Sequence, residues 1–162
     1  MAELTVMEEK LAEVLGLAMA AKAATDKVSG LTEDPALQST LERMNTEAGE
    51  AEERCTHVAG ELDGKKTAIL EKARETKAEA AEMMATYLGE DAEALDGFEF
   101  LTMAEAGEVG HWSVLGKLNE RAARDDVRQL VDWALPIQQR HFQAVLDGSL
   151  VLAAKEDPNQ PS

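Results

Sequence analysis

The sequence predicts an all-α fold, and three observations carry that expectation. Apolar residues recur in alternating steps of three and four along nearly the whole chain. Ala, Glu, Leu, Lys and Met, all strong helix formers, dominate, and the four prolines (Pro35, Pro136, Pro158, Pro161) mostly avoid segment centres. No alternating run of β-branched residues is bounded by a hairpin turn pair. The expected architecture is a bundle of four to five long helices forming one domain over residues 1–155. The polar, proline-bearing residues 156–162 follow as a flexible tail.

The first helix carries its apolar seam on Leu4, Met7, Leu11, Val14, Ala18, Ala21, Thr25 and Val28, and Gly30 stops it. Asp34-Pro35 starts the second, with an acid at the N-cap and proline at the first helical position. Its seam is Leu37, Leu41, Met44, Ala48, Ala51, Cys55, Val58 and Leu62. A break is expected near Asp63-Gly64, before a third helix on Ile69, Ala73, Thr76, Ala80, Met83 and Tyr87. The alternative is one rod from about Pro35 to Leu88, which would run roughly 80 Å and could not fold compactly without a partner chain. Gly89 ends the third segment. The fourth helix is expected from about Ala92 to Ala122. A fifth, capped by Asp125-Asp126, runs to about Ala154 with a kink at Pro136. Two hairpins joined by a helical connection result; a simple up-and-down five-helix bundle fits the same pattern.

Composition narrows the function. With 32 acidic against 16 basic residues the net charge is −16, which argues against a nucleic-acid partner and an anionic membrane surface. Such a charge serves solubility, and it also attracts cations. Aromatic residues are only 4% of the chain, so Ala, Leu, Val and Met must fill the core. The lone Cys55 allows no internal disulfide, the first residues carry acids where a signal peptide needs bases, and no apolar stretch approaches bilayer length. The cytoplasm is the expected compartment.

The informative residues are polar ones on faces that should be buried. In the fourth helix Phe98, Leu101, Glu105, Glu108, Trp112 and Leu115 share one face, so two carboxylates stand where large apolar groups belong. The opposite face holds Phe100, Met103, Gly107, His111, Val114 and Leu118, which predicts a central helix. Gly107 and Gly110 are expected to let a neighbouring backbone approach closely. The fifth helix turns Val127, Val131, Ala134, Gln138, His141, Val145 and Leu152 inward. Gln138 and His141 are three residues apart, as are Glu108 and His111, and pairs at that spacing can grip one ion. Carboxylate and imidazole suit iron, manganese or zinc.

On the stretches Met103-Ala-Glu-Ala-Gly-Glu-Val-Gly-His-Trp112 and Gln138-Gln-Arg-His141, and on the hairpin–connection–hairpin layout, the chain resembles the ferritin-like superfamily, including rubrerythrin-type and related bacterial bundles. The resemblance implies a metal site in which Glu105 or Glu108 is a bridging or terminal carboxylate and His141 an imidazole ligand. Gln138 stands where that pattern has a glutamate. In the first hairpin only Glu8 and Glu47 lie beside the inner faces, and His57 should face outward, so the di-metal pattern is half complete.

The leading expectation is therefore a ferritin-like bundle with a partial metal site at Glu105, Glu108, Gln138 and His141. It would bind iron or manganese and, if active, oxidise Fe(II) with dioxygen. The rival is a non-catalytic interaction or stress-related bundle, homodimeric through its apolar seams, whose inner polar groups only fix packing register. A third reading is a small-ligand carrier using space beside Gly107 and Gly110. Cys55 and the seven methionines read as core filler. Glu50, Glu53, His57 and Glu61 read as a solvated stripe. No phosphate loop, nucleophile elbow or Cys-x-x-Cys pair supports phosphoryl or acyl transfer.

Overall fold

A computed structural model of the chain describes residues 2–162. Among these the regular structure is five helices and no strand: α1 Val6–Ser29, α2 Pro35–Glu61, α3 Lys66–Tyr87, α4 Ala94–Ala122 and α5 Asp125–Ala153. No helix is long and apolar enough to cross a membrane.

Local chemistry sets the boundaries. The Thr5 hydroxyl accepts from the Glu8 N–H (3.2 Å) while the Glu8 carboxylate accepts from the Thr5 N–H (2.7 Å), so two otherwise orphaned donors open α1 satisfied. Asp34 caps α2 by accepting from the Ala36 and Leu37 N–H groups, with Pro35 in the first turn as expected. The break before α3 falls at the expected place. Gly64 there takes φ +71°, a left-handed conformation that a residue with a Cβ rarely adopts. The turn between α4 and α5 is left-handed at Ala123, with φ +55°. Asn119 stitches that turn through its side chain, donating to the Arg124 carbonyl (2.9 Å) and accepting from the Arg124 N–H (3.2 Å). The expected Asp125-Asp126 cap is displaced by one residue. Arg124 is the N-cap of α5, and Asp126 accepts from the Arg124 guanidinium and the Val127 N–H instead. The helix continues through Pro136 without interruption.

α1, α2, α4 and α5 close a ring in which each packs against two of the others, while α3 lies outside it, mainly along α1. Paired positions give the directions. Lys65 reaches Glu8, and a Cβ at Gly16 would strike the Ala73 carbonyl and Thr76, so α3 runs parallel to α1. Gly97 abuts Val28 while His111 meets Glu13, so α4 runs antiparallel to α1. α3 therefore returns the chain along the bundle before the second hairpin begins.

Two expectations are corrected. The central helix is α1, which packs against α2, α3 and α4, not α4. On the second face of α4 only Phe100 is buried, and Met103 and Val114 are exposed. Gly107 and Gly110 do not admit a backbone either, since a Cβ at either would meet nothing within 4 Å. The close approaches occur at Gly16, at Gly97 against Val28, and at Gly148, where a Cβ would lie 2.5 Å from the Phe98 ring.

Buried apolar side chains gather in two clusters. One is built around Leu11, Leu15, Ile69, Trp112, Leu115 and Val127. The other is built around Val28, Leu41, Met44, Phe98, Leu101 and Val145. The polar residues singled out in the sequence lie in the layer between them. Along α4 the order is Leu101, Glu105, Glu108, Trp112; along α5 it is Ala134, Gln138, His141, Val145.

Candidate functional site

The α4–α5 hairpin builds the centre of this layer. Because both helices leave the Ala123 turn in antiparallel register, residues equidistant from that turn face each other. Glu108 thus lies opposite Gln138, and Glu105 opposite His141. All four are buried, with 1–3% of their surface exposed. The residues expected to converge do so.

The Gln138 amide donates to Glu105 Oε2 at 2.7 Å and to Glu108 Oε2 at 3.1 Å when its nitrogen points inward. With its oxygen inward, three oxygens from three side chains would crowd one small volume, an arrangement that a proton or a cation between them would relieve. His141 lies between two carboxylates. Its Nε2 is 3.3 Å from Glu47 Oε1 and its Nδ1 is 3.7 Å from Glu105 Oε2.

Two participants were not among the expected site residues. Glu47 of α2 is nearly buried and binds both His141 and the guanidinium of Arg140. Its position just before Ala48 on the α2 seam was the available signal. Arg140 sits between Gln138 and His141 in sequence, and with Arg43, 3.2 Å from Glu47 Oε1, it brings positive charge to the mouth of the layer.

Burial, and then the negative charge of Glu105 beside it, push the Glu108 carboxyl well above the usual carboxylate range. Ionising Glu108 is therefore opposed both by its burial and by the carboxyl of Glu105 beside it. Even so, Glu108 Oε1 has no hydrogen-bond partner, and neither does the buried Trp112 Nε1 one turn further along α4. Burial, followed by the charges of Glu108 and Glu52, raises the Cys55 thiol far from ionisation, which fits a core filler.

The remaining candidates stand elsewhere. His111 turns away from Glu108 to face Glu13 and Lys10, each 3.1 Å from its Nδ1. His57 is exposed beside Glu61. Glu8 serves its helix cap and Lys65; burial opposes its ionisation, but the Thr5 N–H and Lys65 outweigh this and hold its carboxyl below the usual range. The four-helix carboxylate–imidazole set of a di-metal centre is therefore not assembled. Among the described residues no three His, Cys, Asp or Glu side chains form a group that could hold a metal ion by themselves. The oxygens that do converge are those of Glu105, Glu108 and, once its amide is turned, Gln138.

No protein family profile, curated protein sequence or solved structure matches this chain.

Proposed function

We propose that the chain is a ferritin-like helical bundle whose interior polar layer seats one divalent cation, iron or manganese. Glu105, Glu108 and the Gln138 amide oxygen would hold it, with His141 as the nitrogen donor beside Glu105. The observation that carries this reading is the buried Glu105–Glu108 pair, which needs a positive counterpart and has the Gln138 amide within hydrogen-bond reach of both members. A divalent ion would supply the positive charge that burial and Glu105 make ionised Glu108 lack. The four-helix ring, with α3 returning along its outside, supports the architectural half of the proposal. Bound iron would supply redox chemistry there. The chain's own residues hold the ion, keep bulk solvent away and release or regain the Glu108 proton. The same reading expects a cytoplasmic homodimer, with Leu150 and Val151 as exposed apolar candidates for the contact; light scattering tests that assembly.

The rival, a packing network without a metal, is favoured by one specific feature: a nitrogen-inward Gln138 donates to one oxygen of each carboxyl group. Elemental analysis of protein from iron- and manganese-supplemented cells separates the two. Near-stoichiometric metal that is lost in both Glu108→Ala and His141→Ala supports the site. Absence of metal in the parent protein removes it, and unchanged content in the variants assigns the metal to the outer acidic stripe.

A further inference from the structure

We infer that the outer face of α4 docks a second copy of this chain, the two α4 helices crossing antiparallel at Gly107 and Gly110. At 100° per residue, the face opposite Leu101, Glu105 and Trp112 is a single line of exposed positions. Met103, Gly107, Gly110 and Val114 form its middle, Asp96 and Glu99 its N-terminal end, Lys117 and Arg121 its C-terminal end. Among the described residues nothing covers this line: α3 barely meets α4, and a Cβ at Gly107 or Gly110 would touch no neighbour. Two mid-helix glycines cost helix stability with no return inside the chain. Met103 and Val114 remain 41% and 46% exposed between and beside them.

The line is complementary to itself in one direction only. When two copies are set antiparallel about a two-fold axis between Glu108 and Val109, residues equidistant from that midpoint oppose each other. Gly107 then meets Gly110 of the second copy, where missing side chains let the helix axes approach at the short end of the usual range, roughly 8 Å. Met103 meets Val114, Glu99 lies against Lys117 and Asp96 against Arg121, and the two-fold makes every pair occur twice. A parallel pairing would set acid on acid and base on base. The balance of charge points the same way. The chain carries 32 acidic and 16 basic residues, yet this line carries two acids (Asp96, Glu99) and two bases (Lys117, Arg121). Two copies of net charge −16 thus meet where neither is locally acidic. Beside the line, a recess of about 240 Å³ between α3 and α4, walled by Met83, Met84 and Phe100, extends the apolar area open to the partner. One helix pair and a recess make a small interface, so the dimer is expected to depend on concentration. The inference sharpens the homodimer expected above, moving its contact from Leu150 and Val151 to α4, and it needs no metal.

The test is sedimentation equilibrium of the full-length, chelator-treated protein over a series of concentrations, with circular dichroism to verify that each variant is folded. The parent is expected to pass from monomer to dimer as concentration rises. Gly110→Leu projects into open space within the chain, so the fold stays intact while the dimer should be lost. Glu99→Lys should weaken dimerisation about tenfold by setting like charges together, and adding Lys117→Glu to the same chain should restore it. That rescue requires the antiparallel register, which a merely adhesive surface would not supply. Leu150→Glu should leave the dimer unchanged. A parent that stays monomeric, a dimer that survives Gly110→Leu, a charge exchange that fails to rescue, or loss of the dimer in Leu150→Glu would overturn the inference. Metal content, measured separately by elemental analysis, decides only the metal reading.

Discussion

Replacing Glu108 by Gln preserves the shape of the side chain while removing its charge, so the variant isolates what burying this carboxyl costs. In the unfolded chain Glu108 titrates near its ordinary value of 4.5; in the folded protein burial and Glu105 raise it well above that. A group whose folded value is raised leaves stability intact below the unfolded value. Stability is then lost progressively as pH rises toward the folded value, because the unfolded chain gives up its proton first. Inside that window the loss is ~1.4 kcal/mol per pH unit. The variant escapes it. Urea unfolding of metal-free protein, followed by circular dichroism at pH steps from about 4.5 to 8, should therefore show Glu108→Gln gaining on the parent by ~1.4 kcal/mol between about pH 5 and pH 6. The gain should level off only above the raised value. Subtracting the two curves cancels the repulsion among the other acidic side chains. A difference that stays flat across this range would refute the claim that Glu108 is buried against a second negative charge.

Other perturbations test the frame that sets this geometry. Ala123→Gly relieves a left-handed backbone at the α4–α5 turn and should stabilise the protein by about 1 kcal/mol in the same unfolding assay. Gly148→Ala forces a methyl group against the fully buried Phe98 ring and should cost about 1–3 kcal/mol, whereas Gly107→Ala, which meets nothing, should gain about 0.5–1 kcal/mol. Glu47→Ala strips Arg140 of its carboxylate partner and leaves His141 only the more distant Glu105. A loss of about 1–3 kcal/mol is expected, together with a changed imidazole NMR signal for His141.

The seams of α1, α2, α4 and α5 were legible in the sequence because three–four periodicity reports burial, whereas the expected α3 seam holds only at Ile69 and Ala73 and its Met83 and Tyr87 are exposed. Glu105, Glu108, Gln138 and His141 each occupy a seam position and each is buried. Distance from the Ala123 turn could also have paired them, since antiparallel helices joined by a tight turn match residues by that count. Periodicity could not rank the helices by position. α4 carries apolar residues on two faces, yet α3 leaves the second face open, and that depends on α3 choosing α1 as its neighbour. The glycines misled for a related reason. A glycine signals a close approach only when something lies opposite, which is true of Gly16 and Gly148 and false of Gly107 and Gly110. Glu47 is recognisable as a residue bordering the inner face of α2, but its pairing with Arg140 depends on how α2 meets α5, which periodicity does not report.

The most direct test of a cation seat in the polar layer is a crystal of the protein soaked in manganese and measured near the metal's absorption edge. An anomalous peak among Glu105, Glu108 and Gln138, with the amide oxygen turned inward, is the expected result. Anomalous signal confined to the Glu50–Glu61 surface, with the Gln138 nitrogen still donating to both carboxylates, would contradict it.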